Sequence, residues 1–168
     1  DVLEQGIKEA HERNKKFFLT VNTLPHNSKL KTFVADMEPL IAMKPDALIM
    51  ADPGLIMTVR EKWPEMPIHL SVQANTTNYW GVKFWQNIGV ERIILSRELS
   101  MEEIAEIRQE CPDIELEVFI HGALCIAYSG RCLLSGYFNH RDPNQGTCTN
   151  SCRWDYKVHN ATESDAGD

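Results

Sequence analysis

Five short β-rich runs recur along this chain at nearly even intervals, and they constrain its fold more than any other feature. They are Phe17 to Asn22 (FFLTVN), Ala47 to Asp52 (ALIMAD), Ile68 to Asn75 (IHLSVQAN), Arg92 to Leu99 (RIILSREL) and Leu116 to Gly122 (LEVFIHG). Their starts lie 21 to 30 residues apart, which is room for one strand, one helix and two short loops, the repeat of a parallel βα sheet. The runs are apolar on both faces, as a sheet covered by helices requires. Helix signals stand between them. Ser100 and Glu103 form a capping box ahead of MEEIAEIRQEC, and Asp52-Pro53 places a cap and a first-turn proline before GLIMTVREKW. Asn75-Thr76-Thr77 precedes NYWGVKFWQNIG, where Gly89 is the expected stop.

The expected fold class is α/β, a partial (β/α)8 TIM-barrel-like domain carrying an irregular Cys-rich loop segment. A doubly wound sheet is the competitor, but no Gly-x-Gly-x-x-Gly follows any strand. Polar residues also stand at one strand end after another: Asn22, Asp52, Gln73, Asn75, Arg97, Glu98 and His121. Barrel active sites are assembled from such ends, so Gln73, Asn75, Arg97, Glu98 and His121 are the candidate catalytic residues. Asp52 and Asn75 read equally well as helix caps. His69 lies in an apolar strand and is expected to be a satisfied structural histidine.

After Gly122 the rhythm stops. Residues 1–122 are the expected βα repeats, 123–159 a Cys-rich loop segment packed on the same domain, and 160–168 an acidic linker or tail. The chain opens on Asp1 inside an amphipathic pattern (Val2, Leu3, Ile7, Ala10), which reads as part of a longer protein. No apolar run of about 18 residues and no basic-then-apolar leader occurs. The expectation is a cytoplasmic location and no membrane partner.

Four of the five cysteines fall in the irregular segment: Cys125, Cys132, Cys148 and Cys152. With no secretory signal a disulfide framework is not expected. Four thiolates select zinc or an iron-sulfur cluster. Structural zinc favours paired C-x2-C turns; the close spacings here are x6 and x3, which leans towards a cluster of four irons and four sulfides, with zinc and unligated thiols left open. Cys111, at the end of a helix and before Pro112, reads as a core residue.

Charge follows the same division. The formal net charge is -7, yet residues 121–159 hold Arg131, Arg141, Arg153 and Lys157 against Asp142 and Asp155 only. The cysteine segment is the basic part of an acidic chain, and any contact with nucleic acid is expected there. Arg131, Arg141 and Arg153 are the candidate phosphate-binding residues. Trp154 and Tyr156 could stack a base or pack against the rim of the barrel.

The stretch EVFIHGALCIAYSGRCLLS, Glu117 to Ser135, resembles the signature of the collagenase-like peptidase family U32 at every specified position. VNTLPHNSKLKTF, PDALIMADPGLIM, PIHLSVQANTTN, ILSRELSMEEI and DPNQGTCTNSCRW are similar to the subgroup of that family that hydroxylates transfer RNA. The resemblance implies a barrel-like domain and oxygen insertion at carbon 5 of the wobble uridine, giving 5-hydroxyuridine. It also implies dependence on prephenate or a related small dicarboxylate and an iron-sulfur cluster held by Cys125, Cys132, Cys148 and Cys152. The family name itself implies a peptidase, but HERNK at His11 to Lys15 fails the H-E-x-x-H zinc pattern, and spacing assigns Cys125 no base. A non-catalytic binding domain stapled by metal is the third expectation.

Overall fold

In the computed structural model residues 2–157 are described; the expected acidic tail and the last two residues of the expected cysteine segment lie outside them. Helix α1 (Val2–Glu12) precedes strand β1 (Phe18–Val21), and the alternation continues with α2 (Asn27–Ala42), β2 (Ala47–Met50) and α3 (Pro53–Lys62). Next come β3 (Ile68–Leu70), a short 3₁₀ turn (Val72–Ala74), α4 (Tyr79–Asn87), β4 (Arg92–Ile94), α5 (Met101–Glu110) and β5 (Glu115–Glu117). The strands form one parallel sheet in chain order, β1 to β5, with Leu48 opposite Ile68 and Arg92 opposite Glu115. That order matches one wall of a (β/α)8 barrel, whereas a doubly wound sheet would return to place a later strand on the other side of β1. The expected partial barrel-like class holds.

The core forms where helices cover the central strands. Leu48, Met50, Ile68, Leu70 and Ile93 of the sheet are sealed from solvent by Leu55, Ile56 and Val59 of α3 and by Val82 of α4. The helix starts follow local chemistry. Asp52 accepts a bond from Leu55 N (2.9 Å), and Ser100 and Glu103 complete the capping box on α5. For α4 the cap is Asn78, which accepts from Gly81 N, three residues later than the expected Asn75. Gly89 ends that helix region at φ 84, a conformation that favours glycine. Cys111 is buried at the end of α5, as expected.

Every strand stops short of its expected end, and after β3 the following polar residues turn rather than extend. Ser71 caps the Val72–Ala74 turn, and Asn75 closes it in the left-handed region at φ 52. His69 is structural but not fully satisfied. It is buried edge-on against Phe18 at 4.6 Å, and its Nδ1 has no hydrogen-bond partner among the described residues. Burial, and then the charge of Arg92, push its pKa down to about 4. Beyond β5 the described residues form only helix α6 (Leu134–Asn139) and the short turns Pro143–Gln145 and Ser151–Arg153. No helix of the described residues is long and apolar enough to cross a membrane.

Candidate active site

The strand ends and the cysteine segment meet at the C-terminal rim of the sheet. Asn22, after β1, donates to Ser71 Oγ after β3 (3.2 Å). Asn75 Nδ2 donates to Ser129 O at 2.6 Å and to Gln73 O at 3.1 Å. Arg97, after β4, donates to Ser129 Oγ (2.9 Å) and to Ala127 O (3.3 Å). Two side chains from different βα units thus clamp the loop that joins Cys125 to Cys132. Gly130 completes the seat: at φ 70 it lies so close to the rim that a Cβ would stand 3.1 Å from Gln73 O. Further along, Asn144 accepts from Leu24 N (3.0 Å) through its carbonyl and donates through its side chain to Cys132 O (3.0 Å).

Above the clamp opens a cleft of about 430 Å³, lined by Val72, Arg97, Phe119, His121, Cys125 and Ser129 among others. The clamp and the cleft wall are polar and only partly satisfied. Gln73 Oε1, Asn75 Oδ1 and Arg97 Nε are buried without partners among the described residues, and such atoms are costly unless something meets them. Of the expected catalytic set, Arg97 and His121 line the cleft, while Gln73 and Asn75 do not line it and sit at the clamp on Ser129. Glu98 is exposed and bonded to Ser96 Oγ. Asp52 serves as a cap, and His26 is exposed in a second cleft of about 460 Å³ with Cys132 and Arg141. Arg131 and Arg141 are exposed, and Arg153 reaches Leu124 O at 3.5 Å.

Residues that spacing did not single out hold the rest of the segment. Buried Ser135 and Ser151 sit in a hydroxyl network: Thr149 N and Thr149 Oγ1 bond to Ser135 Oγ (both 3.1 Å), and Thr149 Oγ1 and Ser151 Oγ each donate to Asn139 Oδ1 (both 3.0 Å). The network ties the Ser151–Arg153 turn to α6. Asp142 accepts from Gln145 Nε2 (2.8 Å) and Asn144 N (2.9 Å), which together hold its carboxyl below the ordinary value. No periodicity or motif marks such long-range partners.

The implied cluster fits the donor chemistry but not the arrangement. Thiolates are the right ligands, and Cys125, Cys148 and Cys152 are exposed and Cys132 half-buried, all as free thiols. Among the described residues, however, no three Cys, His, Asp or Glu side chains converge on a point that could hold a metal ion. The Cys148 thiol instead accepts from Asn150 N at 3.4 Å.

A parallel βα sheet with a clamped cysteine loop and a polar cleft at its C-terminal rim defines an α/β domain of barrel topology built to bind at that rim. The sequence matches the model for peptidase family U32 over residues 1–168, and the chain belongs to that family. It is 68% identical over 165 residues to tRNA hydroxylation protein P of Haemophilus influenzae, and 67% identical over 165 residues to the Escherichia coli protein of that name. Each alignment covers 98% of this chain and 36% of the relative, so the chain spans little more than a third of their length. The 23S rRNA 5-hydroxycytidine synthase of Escherichia coli is 36% identical over 149 residues, covering 89% of this chain and 22% of that protein. A solved structure of a U32 peptidase superposes with a TM-score of 0.59 at 16% identity, covering 69% of this chain and 50% of the other; the likeness is one of fold.

Proposed function

We propose that this chain is part of an enzyme that hydroxylates transfer RNA, converting the wobble uridine to 5-hydroxyuridine with prephenate or a related dicarboxylate as co-substrate. The observation that carries this reading is the 68% identity, along 98% of the chain, to a relative named for tRNA hydroxylation. The rRNA relative is named for a 5-hydroxycytidine. Replacing C–H by C–OH on the ring is a two-electron oxidation, which side chains alone do not perform, so a redox cofactor and an oxygen donor are required. Cys125, Cys132, Cys148 and Cys152 are the proposed ligands of an iron-sulfur cluster that would supply that redox chemistry, with zinc as the alternative. For them to meet, the clamped loop and the turn after Cys148 must close from the arrangement described above.

The chain's own residues contribute binding and orientation. Arg97 brings an unpaired donor to the cleft, and His121 and Cys125 line its wall. Arg131, Arg141 and Arg153 are exposed to meet phosphates. The peptidase reading gains less support. His121 and Cys125 share the cleft, yet among the described residues no hydrogen bond joins them and no carboxylate orients His121. His11 is engaged by Asp46 at 2.9 Å.

The test uses full-length protein purified without oxygen and transfer RNA from a strain lacking the gene. Nucleoside mass spectrometry is expected to find 5-hydroxyuridine only when the protein and prephenate are present, together with iron and sulfide that a Cys125→Ala variant loses. Peptide cleavage without a hydroxylated nucleoside would make the peptidase reading the correct one. Zinc without sulfide and without either activity would leave a metal-stapled binding domain.

A further inference from the structure

The cysteine segment carries a surface that neither the clamp nor the cleft uses. Tyr137 and Phe138, on the last turn of α6, are 79% and 43% exposed, and Trp154 and Tyr156, just past the Ser151–Arg153 turn, are 47% and 51% exposed. The rings are in contact around Phe138: its centroid lies 5.1 Å from Tyr137, 5.4 Å from Tyr156 at an interplanar angle of 30°, and 6.5 Å from Trp154. Four adjoining aromatic rings left half in water form an apolar patch of the kind that marks a binding surface.

The patch is held in place from beneath. The hydrogen bonds of buried Ser135 and Ser151 with half-buried Thr149 and exposed Asn139 fix the turn to α6, and Tyr156 Oη donates to Ser151 O at 2.7 Å. A surface ordered by buried, satisfied hydroxyls presents its rings in one arrangement, so little ordering remains to be done on binding.

We infer that this patch is a stacking platform for unpaired RNA bases, centred on Phe138 and Trp154; the inference rests on the RNA reading above and names how that RNA is held. Charge decides the occupant. The patch lies in the segment that carries Arg131, Arg141, Arg153 and Lys157 against two aspartates, in a chain whose net charge is -7. An apolar partner would gain nothing from that local excess, whereas a nucleic acid strand meets both needs, with bases on the rings and phosphates on the arginines. Duplex RNA keeps its bases stacked internally and cannot use the rings, so the ligand class is a loop or single strand.

The test measures binding of the full-length protein to two RNA probes, a stem with a seven-base loop and a fully paired duplex of equal length. Phe138→Ala and Trp154→Ala are each expected to weaken loop binding roughly 5- to 160-fold, the range for loss of one stacked base. Duplex binding should stay within about twofold, and the dependence of loop binding on salt should keep its slope, because no phosphate contact is removed. Phe138→Tyr should retain wild-type affinity, and Trp154 fluorescence should be quenched by the loop. Loop affinity indifferent to both alanine variants, with RNA still bound, would overturn the platform while leaving the RNA reading in place. A Trp154 already shielded from iodide in the free full-length protein would overturn it too, by showing that the rest of the protein covers the rings. If the wild type binds neither probe, both the platform and the RNA reading fall.

Discussion

At the residue scale, Asn75 and Arg97 first hold the loop, and only Asn75 Oδ1 and Arg97 Nε are left over from those bonds among the described residues. Asn75 adopts the left-handed conformation, which asparagine tolerates better than most residues, and from there it reaches the Ser129 carbonyl. Asn75→Ala loses that bond and keeps the strained backbone. Gly130→Ala forces a Cβ against Gln73 O at a positive φ. Both variants are expected to open the loop between Cys125 and Cys132 to limited proteolysis, at least about tenfold faster than wild type if each loses about 1.4 kcal/mol of local stability. Unchanged cleavage would show that the loop is held elsewhere. His69 supports a separate prediction. Its folded pKa, about 4, lies below the ordinary 6.5, so the unfolded state binds more protons between those values, and stability falls as pH drops from 6.5 towards 4. The slope is at most about 1.4 kcal/mol per pH unit. Urea midpoints at pH 7 and pH 5 should differ in the wild type and converge in His69→Phe, where no titrating ring remains.

Among the elements, those set by neighbouring residues were the ones legible in the sequence. The capping box on α5 involves Ser100 and Glu103 alone, and the pair forms as the spacing implies. Ser100→Ala should cost about 1 kcal/mol and lower the Tm measurably in a thermal melt, whereas the same change at exposed Met101 should not. Strand starts were legible for the same reason, since apolar runs are local. Strand ends were not: Ser71 and Asn75 leave the sheet because they bond Gln73 N and Ser129 O, the second partner 54 residues away. The site divides likewise. Cysteine spacing and the strand-end polar set pointed to residues that the fold gathers at one rim, but the Asn139, Thr149 and Ser151 network and the pairing of Phe138 with Tyr156 depend on contacts that no local pattern records. Nor could spacing reveal that the four thiols do not converge. The clamp on Ser129 and the hydroxyls that hold Thr149 to Ser135 are anchors on different parts of the cysteine segment.

Across the whole molecule, the sheet has two edges, and β5 is the exposed one that matters. Glu115 and Glu117 flank a half-buried Leu116, and Arg92 pairs with both glutamates, at 2.7 and 3.4 Å. Past this short charged strand, Val118, Phe119 and Ile120 are exposed, followed by Leu124 and Ile126. An open strand edge running into an apolar stretch is an adhesive surface unless something covers it. Glutamates blunt β5 itself, but no charge lies between Val118 and Ile126 apart from any carried by His121. The 168-residue chain by itself is therefore expected to associate as its concentration rises, and sedimentation velocity at low and high micromolar concentration should resolve it. Ile120→Lys combined with Ile126→Lys places two cations on the stretch without touching the core, since both side chains stand in solvent. The double variant should remain monomeric at concentrations where the parent chain associates, and its urea midpoint should not change. Association that persists in the double variant would locate the adhesive surface elsewhere, first at Trp80 and Phe84 on α4, which are also exposed. A parent chain that stays monomeric throughout would mean that Glu115 and Glu117 suffice to protect the edge.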